Sequence, residues 1–193
     1  MAETTDEINI VNLQLNKLNF KKVKDKSEIK NYIMSDKNDN TKPKIMLEKV
    51  NIPFGVEKYN GNNILNIEID PKKNNIHYNY HAVISGFENE LAKIENFKDK
   101  KLTSDITGKG YYPNIRDSKE GYILRSYIFT VPEVYSMVSG RDKTIKNIKN
   151  KMSLLDVEKV KANVELELGS LWINDNNYGF IWYIKKIEVL YSL

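Results

Sequence analysis

The chain has 193 residues, 40% of them hydrophobic, 10% aromatic and 29% charged, with no cysteine, two histidines and a net charge of +4. This suffices for one decorated domain with its own core and is too short for two comfortable ones, and the lack of cysteine excludes disulfides and thiolate metal sites. No apolar run approaches the roughly 20 residues that cross a bilayer, and the acidic start Met1-Ala-Glu-Thr-Thr-Asp-Glu7 is unlike a basic, then apolar, signal peptide. A single soluble, non-secreted domain over residues 1–193 is expected in a cytosol-like setting, with residues 1–8 flexible and no membrane contact.

In chain order, residues 8–23 alternate loosely and predict a first strand. A polar run follows over 24–42, holding a short extended piece at 32–34 and a turn at 36–40. Lys44-Ile-Met-Leu47 is a second short apolar run, punctuated by Pro53-Phe-Gly55. Residues 63–70 alternate as a clear strand with Leu65, Ile67 and Ile69 on one side. From 77 to 97 the period changes: Val83, Ile84, Phe87, Leu91 and Ile94 fall at helical spacing with Glu88, Glu90, Lys93 and Glu95 between them, predicting one amphipathic helix. Residues 99–117 are loop-like, basic and aromatic. Strand composition returns over 121–131, with Ile123, Arg125, Tyr127 and Phe129 on one face. A second basic loop over 139–151 leads to a long strand over 157–173 and a terminal hairpin partner. The basic excess sits in the middle, where 94–151 carries 12 basic and 7 acidic residues. Five or so strands with one helix predict a mainly β chain, an OB-fold: a five-stranded Greek-key barrel with one amphipathic α-helix and long loop insertions. A β-sandwich with one helix is the alternative.

The common catalytic signatures are missing. There is no GxxxxGK[ST], no strand–Gly-rich–helix fingerprint, no GxSxG and no HExxH. His77 and His81 stand four apart at the start of the predicted helix, where ordinary helix-start histidines explain them better than zinc. Glu165 with Glu167, and Glu68 with Asp70, are spaced as solvent-facing strand positions. The expectation is a protein that is not an enzyme and needs no metal or cofactor.

Three stretches interleave rings with cations: Lys109-Gly-Tyr-Tyr-Pro-Asn-Ile-Arg116, Tyr122-Ile-Leu-Arg-Ser-Tyr127 and Trp182-Tyr-Ile-Lys-Lys186. Every base has a π-face, so rings stack bases without regard to sequence, while lysine and arginine take the phosphates. The candidate nucleic-acid-binding residues are Lys109, Tyr111, Tyr112 and Arg116 of a Gly-flanked loop, where burial is not expected; Arg125 and Tyr127 on one strand face; and Trp182, Lys185 and Lys186. Of the two tryptophans, Trp182 is assigned to binding and Trp172 to the core. In a regular strand Lys185 and Lys186 point to opposite faces.

With Lys42-Pro-Lys-Ile-Met-Leu47 leading to Ile52-Pro-Phe-Gly-Val56, then Ile64-Leu-Asn-Ile-Glu-Ile69, the helix, Tyr112-Pro-Asn-Ile115, Leu171-Trp-Ile-Asn174 and Tyr178-Gly-Phe-Ile-Trp-Tyr-Ile-Lys185, the chain resembles the single-stranded-DNA-binding proteins of the bacteriophage T7 type, particularly their counterparts in nucleocytoplasmic large DNA viruses. The resemblance implies an OB-fold that coats single-stranded DNA in viral replication, recombination and repair. It also implies a place in the host cytoplasm or a viral replication factory, a replicative polymerase, helicase or primase as protein partner, and a homodimer as assembly. The phage family carries an acidic C-terminal tail. Here Tyr191-Ser-Leu193 follows the last predicted strand directly, so recruitment and dimerisation through such a tail are not expected. Two other functions fit the same residues: a non-enzymatic virion or scaffold β-domain that binds proteins, and an RNA-binding OB module.

Overall fold

The computed structural model describes residues 14–23, 29–119, 121–130, 132–138, 141–145 and 160–192. Residues 1–8, expected to be flexible, and most of the basic loop expected over 139–151 lie outside the described residues.

The chain is mainly β. A 3-10 turn at Leu15–Lys17 leads into β1 (Leu18–Lys22), β2 (Lys30–Asp36), β3 (Lys44–Ile52), β4 (Val56–Tyr59) and β5 (Asn62–Glu68). Then come α1 (Asn75–Leu91), α2 (Lys100–Ile106), β6 (Gly110–Tyr111), β7 (Ile115–Ser118) and β8 (Gly121–Ile128). The chain continues through β9 (Glu133–Val138), β10 (Arg141–Ile145), β11 (Val160–Ile173) and β12 (Asn177–Ser192).

Five of these strands pair in a closed circuit. β3 pairs β5, β5 pairs β8, and β12 pairs β11, which returns to β3, all antiparallel; the remaining contact, between β8 and β12, is parallel. Two joints are narrow: Asn51 opposite Glu68 joins β3 to β5, and Tyr127 opposite Tyr183 joins β8 to β12. A closed circuit leaves its own strands without unpaired edges. The extra strands attach outside it, with the β1–β2 hairpin on β11 through β2, and β9 with β10 on β12.

Alternation explains the core. On β11, Val160, Ala162, Val164, Leu166 and Leu168 are buried while Lys161, Asn163, Glu165 and Glu167 are not. Together with Leu65 and Ile67 of β5, Leu124 of β8 and Phe180, Trp182 and Ile184 of β12, they fill the interior. Each such side chain contributes about 1.5–3 kcal/mol by leaving water.

The connection from β5 to β8 carries both helices. Asn74 caps α1, its side chain accepting from the His77 N–H at 2.8 Å. Tyr80, Ile84, Phe87 and Leu91 turn inward, and the Phe87 ring meets Phe180 edge-on at 5.4 Å. The helix ends at Leu91; Ile94–Asn96 forms a 3-10 turn, so the helical pattern expected to reach 97 stops a turn and a half early. In the stretch expected to be loop, Asp99 caps α2 by accepting from the N–H groups of Lys101 and Leu102, and Leu102 and Ile106 bury. Asp105 fastens α2 to the β1–β2 hairpin, accepting from Lys22 at 2.8 Å, Lys30 at 2.7 Å and the Tyr32 hydroxyl at 2.6 Å. Burial alone would raise this carboxyl, but the three donors outweigh it and hold it well below the usual range.

His77 is 2% exposed, and His81 packs edge-on against Tyr122 at 5.0 Å. Burial depresses both imidazoles, outweighing the pull of Glu68 on His77 and of Asp70 on His81. The folded chain therefore holds them neutral, and their contribution is present above the ordinary imidazole value of 6.5 and lost as pH falls below it. Melting temperatures measured from pH 7.5 down to 5 should fall for the unmodified chain and fall less for H77Q/H81Q. An unchanged pH slope in that variant would remove the histidines as the cause.

Candidate nucleic-acid interface

The paired long strands β11 and β12 decide which rings face out. On β12, Tyr178, Phe180, Trp182 and Ile184 share the buried side, and Trp182 is 0% exposed, edge-on to Phe180 at 5.5 Å. Trp182 is thus core, which corrects its assignment as a base platform: its parity with Phe180 and Ile184 turns it inward. On β11, Leu171 and Ile173 are buried, so Trp172 between them faces outward and remains partly exposed. The burial of the two tryptophans is the reverse of what was expected.

Around Trp172 lies a chain of rings and guanidinium groups. Tyr112 meets Trp172 edge-on at 5.9 Å, and the Arg116 guanidinium stacks over the Tyr112 ring at 3.9 Å. The Tyr112 and Tyr59 hydroxyls are 3.4 Å apart, and the Arg125 guanidinium stacks over the Tyr59 ring at 3.8 Å. Two residues along β8, Tyr127 stands opposite Tyr183 of β12. Tyr183 touches Phe129 at 5.6 Å, and the Lys42 ammonium lies 5.9 Å from its ring centre. Apart from its contact with Tyr183, Phe129 is open to solvent, 76% exposed.

Neither Arg116 nor Arg125 forms an ion pair among the described residues. Three of their buried nitrogens, Nε and Nη2 of Arg116 and Nε of Arg125, have no acceptor among the described residues. The Tyr59 hydroxyl, with the fields of both arginines, lowers the Tyr112 phenol, whereas burial raises that of Tyr127.

Two glycines seat these rings. A Cβ on Gly169 of β11 would overlap the Tyr183 ring, and one on Gly179 of β12 would meet the Tyr112 carbonyl at 2.8 Å and the Trp172 ring at 2.9 Å. Each ring therefore lies against the neighbouring strand, in space that a Cβ would fill.

The 109–116 loop divides its residues between inside and outside. Tyr111 was expected to be exposed; instead it packs edge-on to buried Tyr178 at 5.5 Å and aims its hydroxyl at Glu88 at 3.4 Å. Burial drives its phenol far above the usual range, and the ring is half-buried against the core. Glu88, placed on the polar side of the helix by its spacing, is 5% exposed and accepts from the Asn114 N–H at 2.6 Å, with its carboxyl raised by burial. It pins the loop so that Tyr112 and Arg116 project outward. The Lys109 ammonium donates to the Asp175 carbonyl at 2.7 Å, bracing the loop to the β11–β12 turn.

Lys185 and Lys186 share a face, contrary to regular alternation. Glu165 pairs with Lys186 but Leu166 pairs with Ile184, so Lys185 is the extra residue of a bulge, and the buried positions on either side are Ile184 and Ile187. Lys186 pairs with Glu188, whereas Lys185 lines an open groove of about 650 Å³ with Lys42, Tyr127, Phe129 and Tyr183.

Of the nine candidates, the structure gathers Tyr112, Arg116, Arg125, Tyr127 and Lys185 on one outer face, buries Trp182 in the core and packs Tyr111, half-buried, against it. It adds Tyr59, Trp172, Phe129, Tyr183 and Lys42. Tyr59 had a readable signal: Asn60-Gly61, both at positive φ, form the two-residue turn of the β4–β5 hairpin that positions it. Among the described residues no group of three or more histidines and carboxylates is placed to hold a metal ion, and no helix is long and apolar enough to cross a membrane. The chain matches no family model and no curated protein sequence.

E88A removes the acceptor for the buried Asn114 N–H and should cost about 1–3 kcal/mol in urea unfolding. E88Q keeps an acceptor and should cost much less. Equal losses in the two variants would mean that the hydrogen bond to the loop is unimportant.

Proposed function

We propose that this chain is a non-enzymatic, sequence-independent single-stranded-DNA-binding protein built on an OB-type barrel, acting in DNA replication, recombination and repair in the manner of the phage and viral proteins it resembles. The observation that carries the proposal is the outer face on which Trp172, Tyr112, Tyr59, Tyr127, Tyr183 and Phe129 alternate with Arg116, Arg125 and Lys42, both arginines lacking a carboxylate partner among the described residues. Rings at this spacing offer stacking to unpaired bases, and unneutralised guanidinium groups offer donors to the phosphates between them.

The strand circuit supports the barrel. Its members in chain order are β3, β5, β8, β11 and β12, and the pairings run first–second–third–fifth–fourth and back to first. In OB-folds the face of the second and third strands, with the first-to-second and fourth-to-fifth loops, takes oligonucleotides. Arg125 and Tyr127 lie on the third strand, Tyr59 in the first-to-second connection, and Trp172 one residue from the end of the fourth strand.

Labelled oligo-dT titrated at two salt concentrations tests the reading, with oligo-U beside it to compare polymers. Binding should weaken steeply with salt. Y112A and Y183A should each weaken it by about 1–3 kcal/mol, or from fivefold to over a hundredfold, with little change in melting temperature. DNA should also quench tryptophan fluorescence in W182F, which retains Trp172, and leave W172F almost unquenched. Absence of binding at low salt, or quenching that follows Trp182, would overturn the proposal.

A further inference from the structure

The β1–β2 hairpin lies outside the five-strand circuit, yet its outer surface continues the ring-bearing face. β2 pairs with β11 so that Asn31 stands opposite Trp172 and Ile33 opposite Ser170. Beyond it, Lys21 stands opposite Ile33 and Asn19 opposite Ser35. A second open groove, of about 700 Å³, runs along this hairpin, and Ile33 and Lys42 line both it and the groove beside Tyr183. The two grooves are therefore contiguous, joined at an exposed isoleucine and a lysine.

Their chemistry differs. The hairpin groove is bordered by Lys21, Lys37, Lys42 and Lys98 against one carboxylate, Asp99, which is committed to the N-terminus of α2. Lys21 and Lys98 are exposed and form no ion pair among the described residues. The Lys37 ammonium donates to the Asn16 carbonyl, a neutral partner that leaves its charge uncompensated. Its two rings, Phe20 and Phe97, are occupied with each other, edge-on at 5.7 Å. The groove has cations without free stacking platforms.

We infer that the hairpin groove is a phosphate-contacting extension of the single-strand track: a strand whose bases stack on the Trp172-to-Phe129 face continues past Lys42, its backbone lying along Lys21 and Lys98. The inference rests on the single-strand reading above and adds a second segment of different character. The first segment holds bases and phosphates, the second phosphates alone. The occupant follows from charge complementarity and from continuity with the ring-bearing face.

Oligo-dT of about 6 and about 16 nucleotides, spanning the range a single barrel covers, separates the segments. The longer strand should bind more tightly than the shorter. K21Q/K98Q should abolish most of that gain, leave the short strand unaffected, and flatten the dependence of log K on log salt for the long strand by about 1.4, two phosphate contacts' worth. The single variants K21Q and K98Q should each show about half the change, and serve if the double variant melts early. Unchanged affinity and slope for the long strand, or equal weakening of both lengths, would overturn the extension while leaving the ring-bearing face intact. Failure of the unmodified protein to bind either length would overturn the single-strand reading and the extension with it.

Discussion

The outer face depends on the ladder between β11 and β12, the longest pairing in the chain. Side chains alternate across a strand, so one decision about which residues of this ladder face the core assigns every ring on it. Leu166, Leu168, Leu171, Phe180, Trp182 and Ile184 take the interior, and Trp172 and Tyr183 are left outside by the same constraint. The bulges modify the rule locally. At Lys185 an unpaired residue shifts the phase, so two consecutive lysines face solvent and the buried positions resume at Ile187.

Electrostatics on this face follow from what is withheld. Several lysines near this face have carboxylates within reach: Lys44 with Glu165, Lys42 with Glu167, Lys186 with Glu188. Arg116 and Arg125 are placed over rings instead, where the π-face gives a partial counterpart to the charge without neutralising it. Glu88 is turned inward and holds the backbone at Asn114.

Much of this was legible in the sequence, and the exceptions share a cause. The β-rich class, the amphipathic helix, the terminal hairpin and the outward pair Arg125 and Tyr127 all follow from period-two or period-3.6 patterns over several residues. The same parity argument, applied strictly to Leu171-Trp172-Ile173 and Phe180-Ile181-Trp182, separates the tryptophans; the lysine pair beside Trp182 obscured it. Tyr59 was announced by the Asn60-Gly61 turn. Other features depend on residues far apart in the chain. The bulge at Lys185 is set by register with β11, the burial of Glu88 by a loop some 26 residues away, and the seat of Tyr183 by Gly169. α2 was hidden because its short apolar pattern, Leu102 and Ile106, lies in a lysine-rich stretch, and only Asp99 announced its start.

Gly169 and Gly179 have a thermodynamic meaning. A glycine within a strand costs roughly 0.5–1 kcal/mol relative to alanine, because the unfolded chain gives up more freedom there. In return the Tyr183 and Trp172 rings are confined against backbone before any ligand arrives, so their rotamer entropy is lost during folding and not on binding. The folded state thus carries a standing destabilisation in exchange for a surface that need not reorganise, and association with a partner of matching shape should be limited by encounter more than by rearrangement.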